Sequence, residues 1–278
     1  MTEMDFSQTE QKYLRLWQAQ PDGDGFRTAT SYLRPVVYKN KLAMLKIFTD
    51  ADEKGSADVL RFYDGLGAVR LLQAQGDAML IERAVGSKNL LSMMRDGRDN
   101  EVTKVTCSVV QQLHARRKAV PLHTTLLEDR FKSLHFALNK QLPSAVIRLF
   151  SDGAKIAADL LKPQLDRIVL HGDIHLENIL YDNDRGWLAI DPKGLTGERT
   201  YDYANTLCNP ESMPEIAHDQ KRFCRQRDII CEEVGLDRQR LTEYAFAHAC
   251  LSAAWSYEDG GDVQFGLKMA EIIKPLLD

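Results

Sequence analysis

The stretch from Ile168 to Tyr181 (IVLHGDIHLENILY) holds five polar side chains between two apolar runs. They comprise two imidazoles, two carboxylates and one amide: His171, Asp173, His175, Glu177 and Asn178. These groups could bind a metal ion, orient a hydroxyl for phosphoryl transfer, or form a polar turn without chemistry. Each interpretation requires a different backbone, so the neighbouring elements decide among them.

A β-hairpin is predicted at the end of this cluster. The runs NILY and WLAI are separated by the polar turn DNDRG. With the turn in those five residues, Tyr181 lies opposite Trp187 and Asn178 lies opposite Ile190. Asp191 then follows beside Asn178. Amide and carboxylate oxygens suit Mg²⁺, which keeps several waters and takes further ligands from substrate phosphates.

Zinc is the competing metal. His171, Asp173 and His175 alternate along the chain and would share one face of an extended strand. A loop leading into a hairpin does not provide that continuous strand, so we favour magnesium. His175 and Glu177 are then expected to support the loop or to lie in solvent.

Composition limits the classes of function. The 278 residues are 44% hydrophobic and 27% charged, which is ordinary for a globular protein. A net charge of −4 gives no basic surface for nucleic acid. No run reaches the roughly 18 apolar residues of a membrane span, and the N-terminus lacks a signal-peptide pattern. The five cysteines include no C-x-x-C pair, so we expect reduced thiols, a cytoplasmic protein, and neither nucleic-acid nor membrane partners.

The first part of the chain is predicted to be β-rich. FRTATSYLRPVVY and LAMLKIF flank a KNK turn and predict a hairpin, although the turn lacks glycine. AVRLLQ and AMLIER predict two more strands. Between the two pairs, residues 50–64 predict a helix, with Asp50 as N-cap and Glu53 as its capping-box partner.

Beyond residue 88 the apolar spacing becomes mostly helical, with one β-rich island from Ile168 to Ile190. The predicted helices contain VTKVTCSVVQQLHARR, LEDRFKSLHFAL, SAVIRLFSDGAKIAADLL, KRFCRQRDIICEEV and LTEYAFAHACLSAAW. We therefore predict an α+β protein with two lobes. Residues 1–84 would form a small β-rich N-terminal lobe, and residues 85–278 a larger, mainly helical C-terminal lobe.

A family resemblance appears at the polar cluster. His171-Gly172-Asp173, with Asn178 five residues after the aspartate, resembles the kinase catalytic loop H-x-D-x-x-x-x-N. Asp191 begins a DPKG segment that stands where kinases have D-F-G. With GAVRLL, MLIE, HGDIHLENIL, RGWLAIDPKGL and LSAAW, these motifs resemble the aminoglycoside/hydroxyurea antibiotic resistance kinases, which include streptomycin 6-phosphotransferases. The resemblance extends from about residue 26 to 258.

This resemblance implies a protein-kinase-like fold and an ATP- and Mg²⁺-dependent phosphotransferase. Asp173 would orient the acceptor hydroxyl and accept its proton, while Asn178 and Asp191 would hold Mg²⁺. His171 would brace the loop. A hairpin turn with no chemistry remains the alternative for this set.

The same resemblance assigns nucleotide contacts to the N-terminal lobe. Lys46 would hold the α- and β-phosphates, although a lysine extending to solvent from an edge strand would look the same in sequence. Glu53 is the candidate ion-pair partner of Lys46, with Asp58 as the alternative. The Glu82 carbonyl and the Ala84 N–H would pair with adenine. No G-x-G-x-x-G precedes the first hairpin, so Thr28, Thr30 and Ser31 of FRTATSY are expected to cover the phosphates.

The acceptor is expected to be a small hydroxylated molecule bound by the C-terminal lobe. The candidate residues for its site are Glu198, Asp202, Trp255, Glu258 and Asp259, with Asp202 mainly supporting the catalytic loop. Acidic residues would suit a cationic aminoglycoside such as streptomycin. Hydroxyurea or another hydroxylated metabolite is the alternative acceptor, and a catalytically silent kinase-fold binding protein is the alternative function. We expect a monomer or a homodimer.

Overall fold

The computed structural model describes residues 6–28, 30–49, 54–116 and 124–277. A six-stranded antiparallel sheet forms most of the N-terminal region, as predicted. Its strands pair in the order β1-β3-β4-β6-β5, and β2 also pairs with β3. Their bounds are β1 (Gln20–Pro21), β2 (Phe26–Arg27), β3 (Ser31–Tyr38), β4 (Lys41–Phe48), β5 (Leu71–Gln75) and β6 (Ala78–Glu82).

The predicted KNK hairpin joins β3 to β4. Lys39 and Asn40 both have positive φ, 49° and 61°, and Tyr38 pairs with Lys41. Two left-handed residues make the type I′ turn whose twist matches that of the strands, and asparagine tolerates this conformation without glycine. The turn therefore fixes the register of β4.

The register of β4 decides which way Lys46 faces. Ala43, Leu45 and Ile47 are fully buried and pack in one hydrophobic cluster with Tyr13. Because side chains alternate along a strand, Lys46 projects from the opposite face of the sheet. That face looks toward the polar residues of the C-terminal region.

Two helices accompany the sheet. α1 (Phe6–Trp17), which the sequence analysis did not predict, packs through Tyr13 and Trp17 against the cluster on the first face. α2 (Lys54–Tyr63) lies within the helix predicted for residues 50–64. The predicted cap residues Asp50 and Glu53 lie outside the described residues.

The C-terminal region is mainly helical, as predicted. Its longest helix, α11, packs against α6, α7, α8 and α12 and buries residues around its whole circumference. Among the described residues, no helix is both long and apolar enough to span a membrane. The helices are α3 (Leu90–Arg95), α4 (Asp99–His114), α5 (Leu127–Arg130), α6 (Lys132–Leu138), α7 (Ser144–Leu161), α8 (Thr200–Leu207), α9 (Pro214–Ala217), α10 (Gln220–Val234), α11 (Arg238–Glu258) and α12 (Gln264–Ile273), with single 3₁₀ turns at Leu176–Asn178 and Lys274–Leu276.

Two small sheets lie among these helices and hold the polar loops. β7 (Thr125–Leu126), β8 (Arg167–Leu170) and β11 (Leu195–Glu198) form one sheet, with β11 in the centre. β9 (Ile179–Asp182) and β10 (Gly186–Ala189) form the predicted hairpin. The predicted β-rich island is confirmed, and β11 extends it beyond the predicted end.

Candidate active site

The loop between β8 and β9 is fastened to a buried carboxylate. Asp202, at the start of α8, accepts the N–H groups of His171 at 3.0 Å and Gly172 at 2.8 Å. His114 Nε2 lies 2.9 Å from the same carboxylate. Burial acts to raise the pKa of Asp202, but the hydrogen bond and charge of His114 outweigh it and hold the pKa below its ordinary value. The expected supporting role of Asp202 is confirmed.

His171 braces the loop through both ring nitrogens. Nε2 lies 2.8 Å from the Ile190 carbonyl, and Nδ1 accepts the Asp173 N–H at 3.3 Å. Burial lowers the pKa of His171, so the ring is neutral and Nε2 carries the proton. Because both nitrogens are engaged, the zinc interpretation was wrong; no group of three His, Cys, Asp or Glu in the described chain could hold a metal ion.

The predicted hairpin brings Asn178 and Asp191 together. Tyr181 pairs with Trp187, and the Ile190 N–H donates to the Asn178 backbone carbonyl at 2.9 Å. The predicted register is therefore confirmed. The Asn178 amide nitrogen donates to the Asp173 backbone carbonyl at 2.9 Å, which leaves the amide oxygen available as a ligand.

Asp191 faces two lysines. Lys46 Nζ forms an ion pair with Oδ1, and Lys193 Nζ lies 3.5 Å from Oδ2. Burial acts to raise the pKa of Asp191, but the charges of Lys46 and Lys193 outweigh it and lower the pKa. An ionised carboxylate beside an amide oxygen fits the ligand chemistry of Mg²⁺.

Lys46 is only 4% exposed, so it is not a solvated edge-strand lysine. Asp58, the alternative partner from the sequence analysis, forms an ion pair with Arg61. Glu53 lies outside the described residues. The structure thus brings Lys46 to Asp191, while its contact with phosphate stays a prediction.

The predicted hinge lies where β6 ends. The Glu82 carboxylate is paired with Arg70 at 3.1 Å and with Arg185 from the β9–β10 turn, so its side chain joins the two regions. The Ala84 N–H makes no hydrogen bond to any described residue. That N–H is available to a ligand, as the adenine prediction requires.

Thr28 and Ser31, two of the residues expected to cover the phosphates, contact each other. The Thr28 N–H and hydroxyl donate to the Ser31 carbonyl at 2.8 and 3.2 Å. The Ser31 hydroxyl is buried without a partner in the described chain, and Thr30 lines a cavity that Lys193 also lines. Thr30 and Lys193 thus line the same cavity, while a contact of Thr28, Thr30 or Ser31 with phosphate stays a prediction.

A cavity of about 340 Å³ lies beside Asp173. Its wall includes three carboxylates and, among the described residues, no lysine or arginine. The Asp173 Oδ1 atom lies 3.5 Å from the Asn205 amide. The other two carboxylates are those of Glu177 and Glu211, and further lining residues include His175, Asn209, His248, Ser252 and Trp255.

His175 and Glu177 belong to this wall. His175 Nδ1 lies 2.9 Å from Glu177 Oε2, and Ser212 donates to Glu177 Oε1 at 3.1 Å. Burial acts to lower the pKa of His175, but its hydrogen bond to Glu177 and the nearby carboxylates raise it. Glu177 is exposed and pairs with His175 within the loop, as expected of residues that support the loop or lie in solvent, and both also line the cavity.

A second cavity, of about 570 Å³, shares Trp255 with the first. The expected acceptor residues Trp255, Glu258 and Asp259 line it. Glu198 was assigned wrongly: it is 1% exposed and paired with Arg240 at 2.5 Å. An acid so enclosed cannot contact an acceptor.

The residues of the smaller cavity that sequence reasoning missed include three polar ones, Asn205, Glu211 and His248. None lies within a catalytic motif. They come from α8, the loop that follows it, and α11, and only the packing of these elements places them beside Asp173.

Residues 16–260 match the family described as aminoglycoside/hydroxyurea antibiotic resistance kinase. The chain is 36% identical to a streptomycin 3''-kinase of Klebsiella pneumoniae over 247 residues, which cover 88% of this chain and 91% of that protein. It is 31% identical to a streptomycin 6-kinase of Streptomyces griseus, with 88% and 80% covered.

Solved structures share the fold at lower identity. An aminoglycoside phosphotransferase in ternary complex with ADP and hygromycin B matches with a TM-score of 0.68 and 14% identity. The match covers 95% of this chain and 97% of that chain. The predicted protein-kinase-like fold, with a β-rich N-terminal region and a helical C-terminal region, is confirmed.

Proposed function

The chain belongs to the aminoglycoside/hydroxyurea antibiotic resistance kinases and is a small-molecule phosphotransferase; from this premise, we propose that it transfers the γ-phosphoryl group of ATP to a hydroxyl of streptomycin or a similar aminoglycoside. The acid-lined cavity beside Asp173 is the observation that carries this proposal. Its carboxylates suit ammonium or guanidinium groups, because charge-assisted hydrogen bonds to them are strong.

In this proposal Asp173 is the catalytic residue. Its carboxylate would accept a hydrogen bond from the acceptor hydroxyl, hold the oxygen in line with the γ-phosphorus, and take its proton. A strong base is not needed, because the transition state is loose and positioning dominates the rate. Asp202 and His171 would keep Asp173 in place through the backbone contacts described above.

Asn178 and Asp191 would hold Mg²⁺, the first through its free amide oxygen and the second through its ionised carboxylate. When bound, the metal ion supplies positive charge that neutralises the nucleotide phosphates. Lys46 would contact the α- and β-phosphates, with Glu53 as its proposed partner. The Glu82 carbonyl and the Ala84 N–H would pair with adenine.

We assign nucleotide binding to residues 1–84, and catalysis with acceptor binding to residues 85–278. Because ATP is the proposed donor, we place the reaction in the cytoplasm. Hydroxyurea is the second candidate acceptor, since the family includes kinases for it. A cavity of about 340 Å³ is much larger than a molecule of that size needs, so we favour the aminoglycoside.

The test is ADP release coupled to an indicator enzyme, measured with streptomycin, other aminoglycosides and hydroxyurea. We expect turnover with streptomycin, and ³¹P and ¹H NMR of the product would identify the phosphorylated hydroxyl. Asp173→Ala should abolish transfer while ATP still raises the melting temperature. A wild-type protein that binds ATP but releases no ADP with any of these acceptors would instead be a silent binding protein.

A further inference from the structure

His248 is a buried imidazole that the proposed mechanism does not use. It lies on α11, is 5% exposed, and forms part of the wall of the 340 Å³ cavity that contains Asp173. Its Nδ1 atom lies 3.1 Å from the Tyr201 hydroxyl. Nε2 has no hydrogen-bond partner in the described chain. It is also not one of the polar side-chain atoms that are fully buried without a partner, so it is accessible from the cavity. The polar atom that His248 presents to the cavity is therefore Nε2.

The neighbours of His248 determine which nitrogen carries the proton. The positive charge of Arg130 acts on the Tyr201 hydroxyl: burial raises the pKa of Tyr201, while the charge of Arg130 acts to lower it. A hydroxyl group near a positive charge turns its oxygen toward that charge and its proton away from it. The single proton of the hydroxyl is then donated to His248 Nδ1, which leaves the proton of the imidazole on Nε2.

His248 stays neutral in this arrangement. Burial lowers the pKa of His248 to about 4, even though the charge of Asp173 acts to raise it. The ring is also held in place by edge contacts with Tyr201 at 5.5 Å and Trp255 at 6.1 Å between ring centroids. A neutral ring with a fixed orientation therefore directs one N–H donor toward the cavity.

We propose that His248 is an acceptor-binding residue whose Nε2–H donates to an oxygen on the same ring as the phosphorylated hydroxyl. Tyr201 and Arg130 are positioning residues that fix its tautomer. This inference rests on the proposed function, because Asp173 would hold the reacting hydroxyl in the same cavity. The cavity then contains two kinds of contact: carboxylates for the cationic groups of the acceptor, and one N–H donor that a cation cannot use.

The consequence is selection for a polyhydroxylated ring. An acceptor with a second oxygen next to the reacting hydroxyl can contact Asp173 and His248 together. Loss of His248 should therefore weaken the binding of such an acceptor and leave nucleotide binding unchanged.

The kinetic test compares His248→Leu and His248→Gln with the wild type, using streptomycin as the acceptor. We expect His248→Leu to lower kcat/KM for streptomycin by roughly tenfold, the size of one lost hydrogen bond in a desolvated site. His248→Gln, which keeps an N–H donor, should recover most of that loss. The Kd of AMP-PNP should change less than about twofold. An equal loss of AMP-PNP affinity, or no loss of kcat/KM with streptomycin, would overturn the proposal.

A second pair of variants tests the tautomer. Tyr201→Phe removes the proton that Nδ1 accepts, and we expect a fall in kcat/KM for streptomycin of roughly three- to tenfold. Tyr203→Phe is the matched control, because Tyr203 lies on the same helix and its buried hydroxyl has no partner in the described chain. A similar kinetic loss in both variants would indicate a general packing effect and reject the role of Tyr201.

NMR separates failure of this inference from failure of the proposed function. In ¹⁵N-histidine spectra near neutral pH, the ligand-free protein should show His248 as the neutral Nε2–H tautomer, and streptomycin with AMP-PNP should shift that resonance. Turnover of streptomycin with an Nδ1–H tautomer, or with no shift, would overturn the inference alone. A shift without ADP release would reject the proposed function and retain His248 as a binding residue. Streptomycin that neither binds nor reacts would reject both.

Discussion

Asp202 does not line the proposed acceptor site, yet the position of the proposed catalytic loop depends on it. Its two oxygens receive two consecutive backbone N–H groups and face His114, all in the interior. Gly172 permits this approach: its φ is 80°, and an added Cβ would lie 2.7 Å from the Leu195 side chain. The geometry of Asp173 is thus set by a carboxylate 29 residues later in the chain.

We predict that Asp202→Ala lowers the free energy of unfolding by about 3–5 kcal/mol at neutral pH, because it leaves buried N–H groups and His114 without their partner. Since the folded-state pKa of Asp202 is lowered, its stabilisation is complete above the ordinary value of 3.8 and is lost as the pH falls toward the folded-state pKa. Urea denaturation from pH 7 to about pH 2 measures both effects, because the loss occurs below pH 3.8.

Asp159→Ala is the control for Asp202, since Asp159 pairs with Lys162 on the surface, where both side chains are mostly exposed. It should cost less than about 0.5 kcal/mol. Comparable losses in the two variants would contradict a special role for Asp202.

Lys46 is the second residue whose environment specifies a role. Its aliphatic stem is buried while its ammonium group meets Asp191, in a strand whose other face is apolar. We predict that Lys46→Met lowers kcat/KM for ATP by roughly 10- to 100-fold, because the phosphates lose a charged hydrogen-bond donor. Initial rates at varied ATP measure this.

Lys41→Met, an exposed substitution on the same strand, should leave kcat/KM for ATP unchanged. If Lys46→Met retained the wild-type value as well, the buried lysine would be a structural counter-ion of Asp191 and not a phosphate ligand.

Among the elements, the start of α2 and the loop after Asp191 approach each other closely. Gly194 has φ 69°, and an added Cβ would lie 3.2 Å from the Gly55 backbone. Gly194 directly follows Lys193, which faces Asp191. A substitution here should therefore disturb the proposed metal site as well as the packing.

We predict that Gly194→Ala destabilises the protein by about 2–3 kcal/mol, through a left-handed alanine and a tight contact, and that it lowers kcat. Gly235→Ala is the matched control: its φ is 66°, but nothing lies within 4 Å of the added Cβ. That variant should lose only about 1–2 kcal/mol and keep its kcat. Thermal unfolding measures the loss of stability, and initial rates measure kcat. Equal kcat values in the two variants would show that the close approach of Gly194 to Gly55 does not affect the site.

Elements with local signals were the ones that the sequence predicted well. The β9–β10 hairpin followed from its turn, and its register correctly placed Asp191 beside Asn178. Glu198 was misassigned because its enclosure depends on Arg240, which lies on a helix 42 residues away. His248 was missed for the same reason: in α11 it looks like any residue of a buried helix, and only tertiary packing places it beside Asp173.

α1 shows a different limit of prediction from sequence. Its apolar residues Tyr13 and Trp17 have helical spacing, but they lie outside the recognisable motifs. The helix is stabilised by the sheet face that Leu45 and Ile47 also form. Covering that face leaves the other face of β4, with Lys46, open toward the proposed nucleotide site.

At the scale of the whole molecule, the charged residues must accommodate two proposed ligands of opposite charge, ATP and a cationic aminoglycoside. The chain carries a net charge of −4, which would repel ATP and attract a cationic aminoglycoside. Lys46 and Lys193 concentrate positive charge around Asp191, whereas the smaller cavity has carboxylates and no lysine or arginine in the described chain. The two proposed sites therefore differ in local potential although they meet at Asp173.

This separation predicts how the enzyme responds to salt. Raising NaCl from 50 to 500 mM should raise KM for streptomycin several-fold. The added salt shortens the Debye length from somewhat above 10 Å to about 4 Å, so the attraction between the cation and the cavity carboxylates acts over a shorter distance. KM for hydroxyurea, if it is turned over, should be nearly constant, since that molecule is neutral.

Glu211→Gln removes one cavity carboxylate and should reduce the salt dependence for streptomycin. Glu215→Gln removes an exposed carboxylate that does not line the cavity and should keep the wild-type dependence. Identical dependence in both variants would mean that net charge, and not the cavity, attracts the acceptor.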